Sequence, residues 1–417
     1  MRVALISYHT SPLAQLGSSS AGGMNVYVRR LAEGLAESGV QVDVFTRRED
    51  SDTPRELEFT PGARLVQVRA GPTRSLSKVE LASYTPAFAR ALADYTASRK
   101  LQHDVIHSHY WLSGLAAQVL RTADQPLVHM FHTLGRVKQL YQPDAGVSDP
   151  PSRQYGELRL LRSGHTLVFS TEAEVDDVER TYGLRPSAVA IIPPGVDKDR
   201  FSPRDAAKAR QLLGLDDGPI ILFVGRMDRA KGVDLLLHAV ARLCRLDRWK
   251  SLKIVIVGGD DHHRDAVASS ELSRLSAIVD EMGLERNVHF QGVIPQEDLP
   301  LYYAACDVCA VPSRYESFGM VALEALASGR PVVGFRSRGL EQTVTSEING
   351  LLVSSGDVTA LADGLARVLA NPHLALRMGK AARQSVHGAS WDLVVERTTD
   401  LYARLLARNR NKALRSS

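Results

Sequence analysis

The chain reads as an α/β protein made of two Rossmann-like domains, and three observations predict it. Short apolar runs alternate with longer amphipathic stretches from one end to the other. Its 417 residues exceed what one hydrophobic core organises, so a length prior of about two to three domains applies and we read two. The alternation lapses once, across PPGVDKDRFSPRD (193–205), where proline and charge accumulate and neither periodicity persists.

In the first half the strand candidates are RVALIS (2–7), VDVFT (42–46), RLVQV (64–68), DVIHS (104–108), LVHMF (127–131), TLVFS (166–170) and AVAIIP (188–193). Helical stretches lie between them. In NVYVRRLAEGLAESG (25–39), Val26, Val28, Leu31 and Leu35 recur on one helical face. The second half repeats the pattern with PIILFVG (219–225), LKIVIVG (252–258), NVHFQG (287–292), DVCAVP (307–312), PVVGF (331–335) and GLLVS (350–354), each separated by a helix. Unbroken apolar strands of this kind imply parallel sheets covered on both faces. From Trp391, WDLVVERTTDLYARLLARNR reads as a terminal helix.

Composition narrows the function classes. With 44% hydrophobic and 24% charged residues, and no apolar run near the ~20 residues of a membrane span, the chain reads as a soluble globular protein. A net charge of +4 and a pI of 8.9 are too mild to imply a nucleic-acid partner. Three cysteines, Cys244, Cys306 and Cys309, form no disulfide framework and point to the cytoplasm. Cys306 and Cys309 lie in AACDVCAVP, where a helix end runs into a strand; without a second pair they read as buried thiols. The opening MRVALISYHT carries one early Arg and no cleavage site, so it reads as a first strand and not as a secretory leader.

The sharpest chemical signal is RYESFGMVALEALASGRPVV, where Glu316 and Glu324 lie eight positions apart. Glu316 falls in a loop and Glu324 on a helix expected to start near Phe318, so both carboxylates flank one helix N-terminus. Such an end offers unpaired N–H groups to a diphosphate, and carboxylates accept from the hydroxyls of ribose or hexose. An isolated pair would be two solvated helix charges. The small-residue turn leading into an apolar strand favours a nucleotide-sugar site.

Upstream, FVGRMDRAKGVDLLLHAV sets Arg226 and Lys231 between a strand's carboxyl end and a helix. Two cations there would neutralise a departing diphosphate; the bland alternative is two surface basics. After the first strand, HTSPLAQLGSSSAGGMNVYV places Gly22 and Gly23 before a helix opened by Asn25. A phosphate could approach that backbone, although a flexible loop with a helix cap reads equally. The histidines of HSHYW (107–111) and HT (132–133) lie at the ends of neighbouring strands. Zinc on His107, His109 and His132 lacks a carboxylate partner, so we read a sugar-facing polar wall, and GGDDHHRD (258–265) as a polar turn.

The Glu-x7-Glu stretch and GRMDRAKG resemble the motifs of the retaining family 4 glycosyltransferases, and AGGMNVYVRRLAEGLAESGVQVDVFTRR and HSHYWLSG extend that resemblance over nearly the whole chain. Within the family it points to the branch acting on inositol phosphate in mycothiol biosynthesis. The resemblance implies the GT-B fold: two Rossmann-like domains facing a central cleft, with the C-terminal helix crossing back to the first domain. Residues 1–195 plus about 391–417 would bind the acceptor, and 196–390 the nucleotide sugar. It implies transfer of N-acetylglucosamine from UDP-GlcNAc to 1D-myo-inositol 3-phosphate with retention.

The residue roles are likewise implied by the resemblance. Lys78, Tyr110, Thr133 and Arg153 would read the acceptor's phosphate, with Gly23 and Asn25 also on the acceptor. The Gly23 backbone, Arg226 and Lys231 would hold the diphosphate, and Ile294, Glu316, Phe318, Gly319 and Met320 the rest of the donor. Glu324 would take the ribose, and His132 would line the sugar pocket. Arg226, Lys231, His132 and Glu316 form the implied catalytic group. Two stretches depart from the family: RSRGLEQTV (336–344) stands in place of a glycine-rich turn, and Ser170 in place of a strand-end asparagine. Both bear on which sugar and acceptor are used.

No carboxylate is placed as a nucleophile beneath the sugar, so retention would come from front-face substitution in which the departing phosphate oxygen deprotonates the incoming hydroxyl. Two cations and a helix dipole make a divalent ion unnecessary, and we expect no metal and no required cofactor. Partners would be small molecules, without nucleic acid or membrane, and a homodimer is compatible. Competing readings are a sucrose-phosphate-synthase-like or antibiotic-pathway enzyme with another acceptor, and a membrane-surface glycosyltransferase acting on a phosphoinositide or lipid. The latter would use the tail's Arg404, Arg408, Arg410, Lys412 and Arg415. A non-enzymatic sugar-binding protein is disfavoured by the paired phosphate cations.

Overall fold

The computed structural model describes residues 1–14, 21–122, 124–141, 150–259 and 266–416. Two compact units divide the chain. One comprises Met1–Ala14, Gly23–Pro193 and the segment from Trp391 onward, and the other is built on Pro194–Ser390.

In the first unit, β1 (Arg2–Ile6), β2 (Gln41–Arg47), β3 (Glu56–Thr60), β4 (Ala63–Val68), β5 (Val105–His109), β6 (Leu127–Met130), β7 (Thr166–Phe169) and β8 (Val189–Ile191) form one eight-stranded sheet. Their order is β3-β4-β2-β1-β5-β6-β7-β8. Every pairing is parallel except β3 with β4. Central β1 is apolar from Val3 to Ile6 because both faces are covered there. Val3 and Leu5 share a core with Val28, Leu31 and Leu35 of the opening helix Gly23–Glu37. The terminal helix Trp391–Ser416 adds Val394, Val395, Leu401 and Tyr402 to that core. Burying an aliphatic side chain of this size stabilises by roughly 1.5–3 kcal/mol.

Two details differ from the sequence reading here. Strand β3 was not expected; its Glu56-Leu57-Glu58-Phe59 alternation is partly exposed, and it reaches the sheet by folding back antiparallel through a two-residue turn, with no crossover helix. The opening helix begins at Gly23 and not at Asn25, because the Asn25 side chain turns back to the β1 loop instead of capping.

In the second unit, β9 (Ile220–Val224), β10 (Lys253–Val257), β11 (Val288–Gly292), β12 (Val308–Val311), β13 (Val332–Phe335) and β14 (Gly350–Val353) form a six-stranded parallel sheet in the order β11-β10-β9-β12-β13-β14. This is the doubly wound order, with a core on each face. Between β13 and β14 the expected helix is replaced by a 3-10 turn at Leu340–Gln342, and Leu340 and Val344 fill the core in its place. Cys306 caps the helix Leu299–Ala305 and Cys309 lies within β12; both are buried, and burial pushes the Cys306 thiol up to about 12.

In each sheet the strand order reverses between two neighbours, β1 and β5 in the first unit and β9 and β12 in the second. Connections leaving that point go to opposite faces, so a crevice opens beyond the strands' carboxyl ends. Open α/β sheets bind ligands there.

Candidate active site

The second unit's reversal point is built from the loops after β9 and β12. Asp228 caps the turn Arg229–Lys231 by accepting from Ala230 N at 2.8 Å. Gly232 follows at φ +68°, where a Cβ would stand 2.1 Å from the Pro312 carbonyl oxygen. Only glycine lets the two loops press together here. Arg314 fastens them, its backbone N–H donating to Ala230 O at 2.9 Å and its guanidinium making two 3.0 Å bonds to the Asp234 carboxylate. The result brings Lys231 Nζ to 2.7 Å from Glu316 Oε2. Arg226, partly buried, lies 3.7 Å from Asp228.

The helix after this loop is Met320–Ala327. It starts two residues later than the expected start near Phe318, so Phe318 lies in the loop, buried, with Gly319 as the helix cap. Glu324 turns inward and accepts from Tyr303 OH at 2.8 Å. Burial pushes its carboxyl up to about 7, against the lowering effect of the Tyr303 hydrogen bond. Ile294, partly buried after β11, packs on the core that also holds Phe318 and Leu340. The divergent RSRGLEQTV segment therefore still supports this loop through Leu340.

At the first unit's reversal point, Asn25 donates to Thr10 Oγ1 at 2.9 Å and to Ser11 O at 2.7 Å, tying the end of β1 to the opening helix. Gly23 is exposed at the first position of that helix. Beyond β5, Tyr110 stands at φ +73°, a conformation that side-chain-bearing residues keep only under constraint. Its ring lies 4.2 Å from that of His9, 5.7 Å below Lys78 Nζ and 5.2 Å from the Arg153 guanidinium carbon. Arg153 donates in turn to Thr133 O at 3.0 Å and Thr133 Oγ1 at 3.1 Å. Lys78, Tyr110, Thr133 and Arg153, from four separated segments, thus meet in one patch. Lys78 is held at the start of helix Lys78–Ser98 by a Ser77/Glu80 capping box.

The histidines depart from the expected wall. His107 and His109 do share one face of β5, with ring centroids 4.3 Å apart, but both are fully buried. His107 Nδ1 bonds Tyr402 OH of the terminal helix at 2.7 Å, so it belongs to the core. His132, at φ +60°, keeps partial exposure and pairs through Nε2 with His109 Nδ1 at 3.0 Å. Burial lowers all of these imidazoles, His107 and His132 to about 3, so they are neutral. Among the described residues no group of His, Cys, Asp or Glu is placed to hold a metal ion.

Sequence reasoning missed Glu157, Tyr303 and His9. Glu157 carried only a faint signal, its spacing of one helical turn from Arg153. The Ser170 backbone N–H donates to Glu174 Oε2 at 2.7 Å. Residues 15–20 of the glycine-containing loop, 260–265 of the polar turn, and the side chains of Lys412 and Arg415 lie outside the described residues. Arg404 and Arg408 are exposed beside β8 along a groove of about 310 Å³. No helix of the described residues is long and apolar enough to cross a membrane.

Comparison with known proteins gives matches along the chain. Residues 22–195 match the family described as "Glycosyl transferase 4-like domain", and residues 205–385 match "Glycosyl transferases group 1". The chain is 40% identical over 410 residues to D-inositol 3-phosphate glycosyltransferase of Corynebacterium jeikeium, covering 97% of each. It is 40% identical over 410 residues to that of Kribbella flavida, covering 96% of this chain and 95% of the relative. Among solved structures, sucrose-phosphate synthase from Thermosynechococcus elongatus matches with a TM-score of 0.90 at 36% identity, over 98% of this chain and 99% of that one. Anabaena HepE in complex with UDP and glucose has the same fold, with a TM-score of 0.72 at 18% identity over 97% of this chain and 100% of that one.

Proposed function

We propose a reaction for a chain that belongs to the group 1 glycosyltransferases, nucleotide-sugar-dependent enzymes of the GT-B fold: transfer of N-acetylglucosamine from UDP-GlcNAc to 1D-myo-inositol 3-phosphate, with retention at the anomeric carbon. The observation that carries the acceptor is the meeting of Lys78, Tyr110, Thr133 and Arg153 at the first unit's reversal point. Two cations and a hydroxyl around an aromatic ring suit a phosphate on a small polyol. The names of the relatives support the same acceptor.

On this reading the second unit holds the donor. Arg226 and Lys231 take the diphosphate, Glu316, Phe318, Gly319, Met320 and Ile294 the sugar end, and Glu324 the ribose. Lys231 leaves or shares its bond to Glu316 as the phosphate arrives, so its charge is worth most when the leaving group departs. The Glu316 and Glu324 carboxylates are engaged by Lys231 and Tyr303, and neither is offered as a nucleophile. That favours front-face substitution, with the departing phosphate oxygen taking the acceptor's proton. Gly23, Asn25 and His132 would complete the acceptor and sugar contacts. We place the reaction in the cytoplasm, in keeping with three free thiols.

The likeness to sucrose-phosphate synthase favours a second reading, the same donor chemistry with a sugar phosphate as acceptor. A screen of UDP-, GDP- and ADP-sugars with 1D-myo-inositol 3-phosphate, free myo-inositol and an acceptor yielding sucrose phosphate tests both. Product from UDP-GlcNAc and the inositol phosphate is expected, at least about tenfold above free inositol, as one charged hydrogen bond provides. Equal use of the two inositol acceptors would refute the phosphate site.

A further inference from the structure

Glu157 is fully buried on the helix Pro151–Leu161, one turn beyond Arg153. Its Oε1 accepts from Arg153 Nε at 2.8 Å and from Gly135 N at 3.1 Å. Its Oε2 accepts from Gly135 N at 3.0 Å and from Tyr182 OH. One carboxylate thereby joins three segments that arrive separately: the turn after β6 at Thr133–Gly135, the helix bearing Arg153, and the end of the helix Glu172–Tyr182. Arg153 is gripped from the other side by Thr133. A buried carboxylate is costly unless it is paired and hydrogen-bonded, and this one is so placed on every side that its partners are thereby fixed in turn.

We propose that Glu157 is the positioning residue of the acceptor site: it orients the Arg153 guanidinium and the Thr133 turn beneath Tyr110, and so sets the preference for a phosphorylated acceptor. The inference rests on the acceptor reading above and deepens it. Glu157 touches no substrate. Its action passes through Arg153, whose guanidinium is planar and reads phosphate only when correctly turned.

Charge and orientation make opposite predictions for Glu157→Gln. The substitution removes a negative charge beside the anion site, and by electrostatics alone would tighten a phosphate. Misorientation would weaken it, because glutamine's amide presents a donor where Glu157 now accepts from Gly135 N and Tyr182 OH. The test measures kcat/KM for 1D-myo-inositol 3-phosphate and for free myo-inositol with UDP-GlcNAc, together with hydrolysis of the donor by water. In Glu157→Gln the preference for the phosphorylated acceptor falls about tenfold to a hundredfold, through the acceptor's KM, while donor hydrolysis is unchanged. Tyr182→Phe, which removes one donor to Glu157 and keeps the ring, shows the same change to a smaller degree and covers the case in which Glu157→Gln does not fold. Preference that rises or stays constant in folded variants overturns the inference alone. Wild-type protein without any preference overturns the acceptor reading and the inference with it.

Discussion

The two reversal points solve one problem, holding polar groups at the ends of parallel strands, with different materials. At the second unit's reversal point the left-handed backbone positions are the glycines Gly232 at φ +68° and Gly319 at φ +87°, and the polar groups form an ion pair, Lys231 with Glu316. Near the first unit's reversal point the positive-φ positions are Tyr110 and His132, and the polar groups are neutral histidines and cations stacked on a ring. Glycine adopts such angles without strain, whereas a side-chain-bearing residue persists there only when its surroundings over-determine it. The second site is therefore a backbone cradle closed by an ion pair, in keeping with the proposed diphosphate. The first is a rigid wall in which side chains are locked by packing, suited to telling one acceptor from another.

The largest expected effect separates the units by pH. His107, His109 and His129 are buried and His132 nearly so, and their pKa values are lowered from 6.5, chiefly by desolvation. Below pH 6.5 the unfolded chain binds protons that the native first unit does not, so stability there falls as pH drops from about 6.5 toward 3, by up to about 1.4 kcal/mol per histidine per pH unit. Burial also raises Glu174 of the first unit to about 7, which offsets part of that loss; in the second unit Glu324 has the opposite sign to the histidines. Its carboxyl is raised from 4.5 to about 7, so between these values the native second unit holds a proton the unfolded chain has lost, and stability rises as pH falls through that window. Amide exchange at pH 7.5 and 5.5, corrected for intrinsic rates, should show β5 and β6 losing protection while β12 keeps or gains it. Equal loss in both sheets would break the comparison.

Next in size are Arg226 and Lys231, the cations proposed to hold the diphosphate. Lys231→Ala removes a charged contact worth roughly 1.5–3 kcal/mol and strands Glu316 without its partner, so turnover should fall by about tenfold to a hundredfold or more. Arg226→Ala should cost less than Lys231→Ala. Neither should change the KM of the acceptor. Unchanged turnover in both would remove the diphosphate from this loop.

Glu324→Gln sharpens the ribose assignment. An ionised carboxylate accepts from both ribose hydroxyls, and it is ionised only above about pH 7. Donor KM in the wild type should rise several-fold as pH falls from 8 to 6, and the variant should show the higher value with a flat profile. If donor KM is independent of pH in the wild type, Glu324 serves the helix and not the donor.

How much of this was legible follows from the same contrast. The strands read from apolar runs all appear, the central ones because buried parallel strands are continuously apolar; the edge strands β8 and β11 are only partly buried but still carry apolar residues, whereas β3, also at an edge, alternates acidic and apolar residues and was missed. That Arg226, Lys231 and Glu316 lie in the loops following β9 and β12 was legible, because both strands read clearly from their apolar runs. Glu157 was not, because Arg and Glu one turn apart read as an ordinary ion pair on a solvated helix face, and only tertiary packing turns this pair inward. The buried state of His107 and His109 was hidden likewise, since it depends on the terminal helix, nearly three hundred residues away in sequence, bringing Tyr402 to His107.

The smallest expected effect bears on whether the first unit's wall is merely rigid. Tyr402→Phe keeps the ring in the core and removes the hydroxyl bonded to His107 Nδ1, whose Nε2 already has no partner among the described residues. Leaving that buried group unpaired should cost about 1–3 kcal/mol and lower Tm by a few degrees. Tyr402 lies at the far end of a chain that runs through His107, stacked on His109, to His132. If the wall acts only as a support, Tyr402→Phe lowers stability while kcat and both KM values hold, because the His109–His132 bond does not need His107 in one particular tautomer. A fall in kcat at unchanged Tm would mean that the tautomer set by Tyr402 is passed along the histidines to His132. The first site would then share the second one's dependence on where protons and charges stand, and the division between a cradle and a wall would have to be given up.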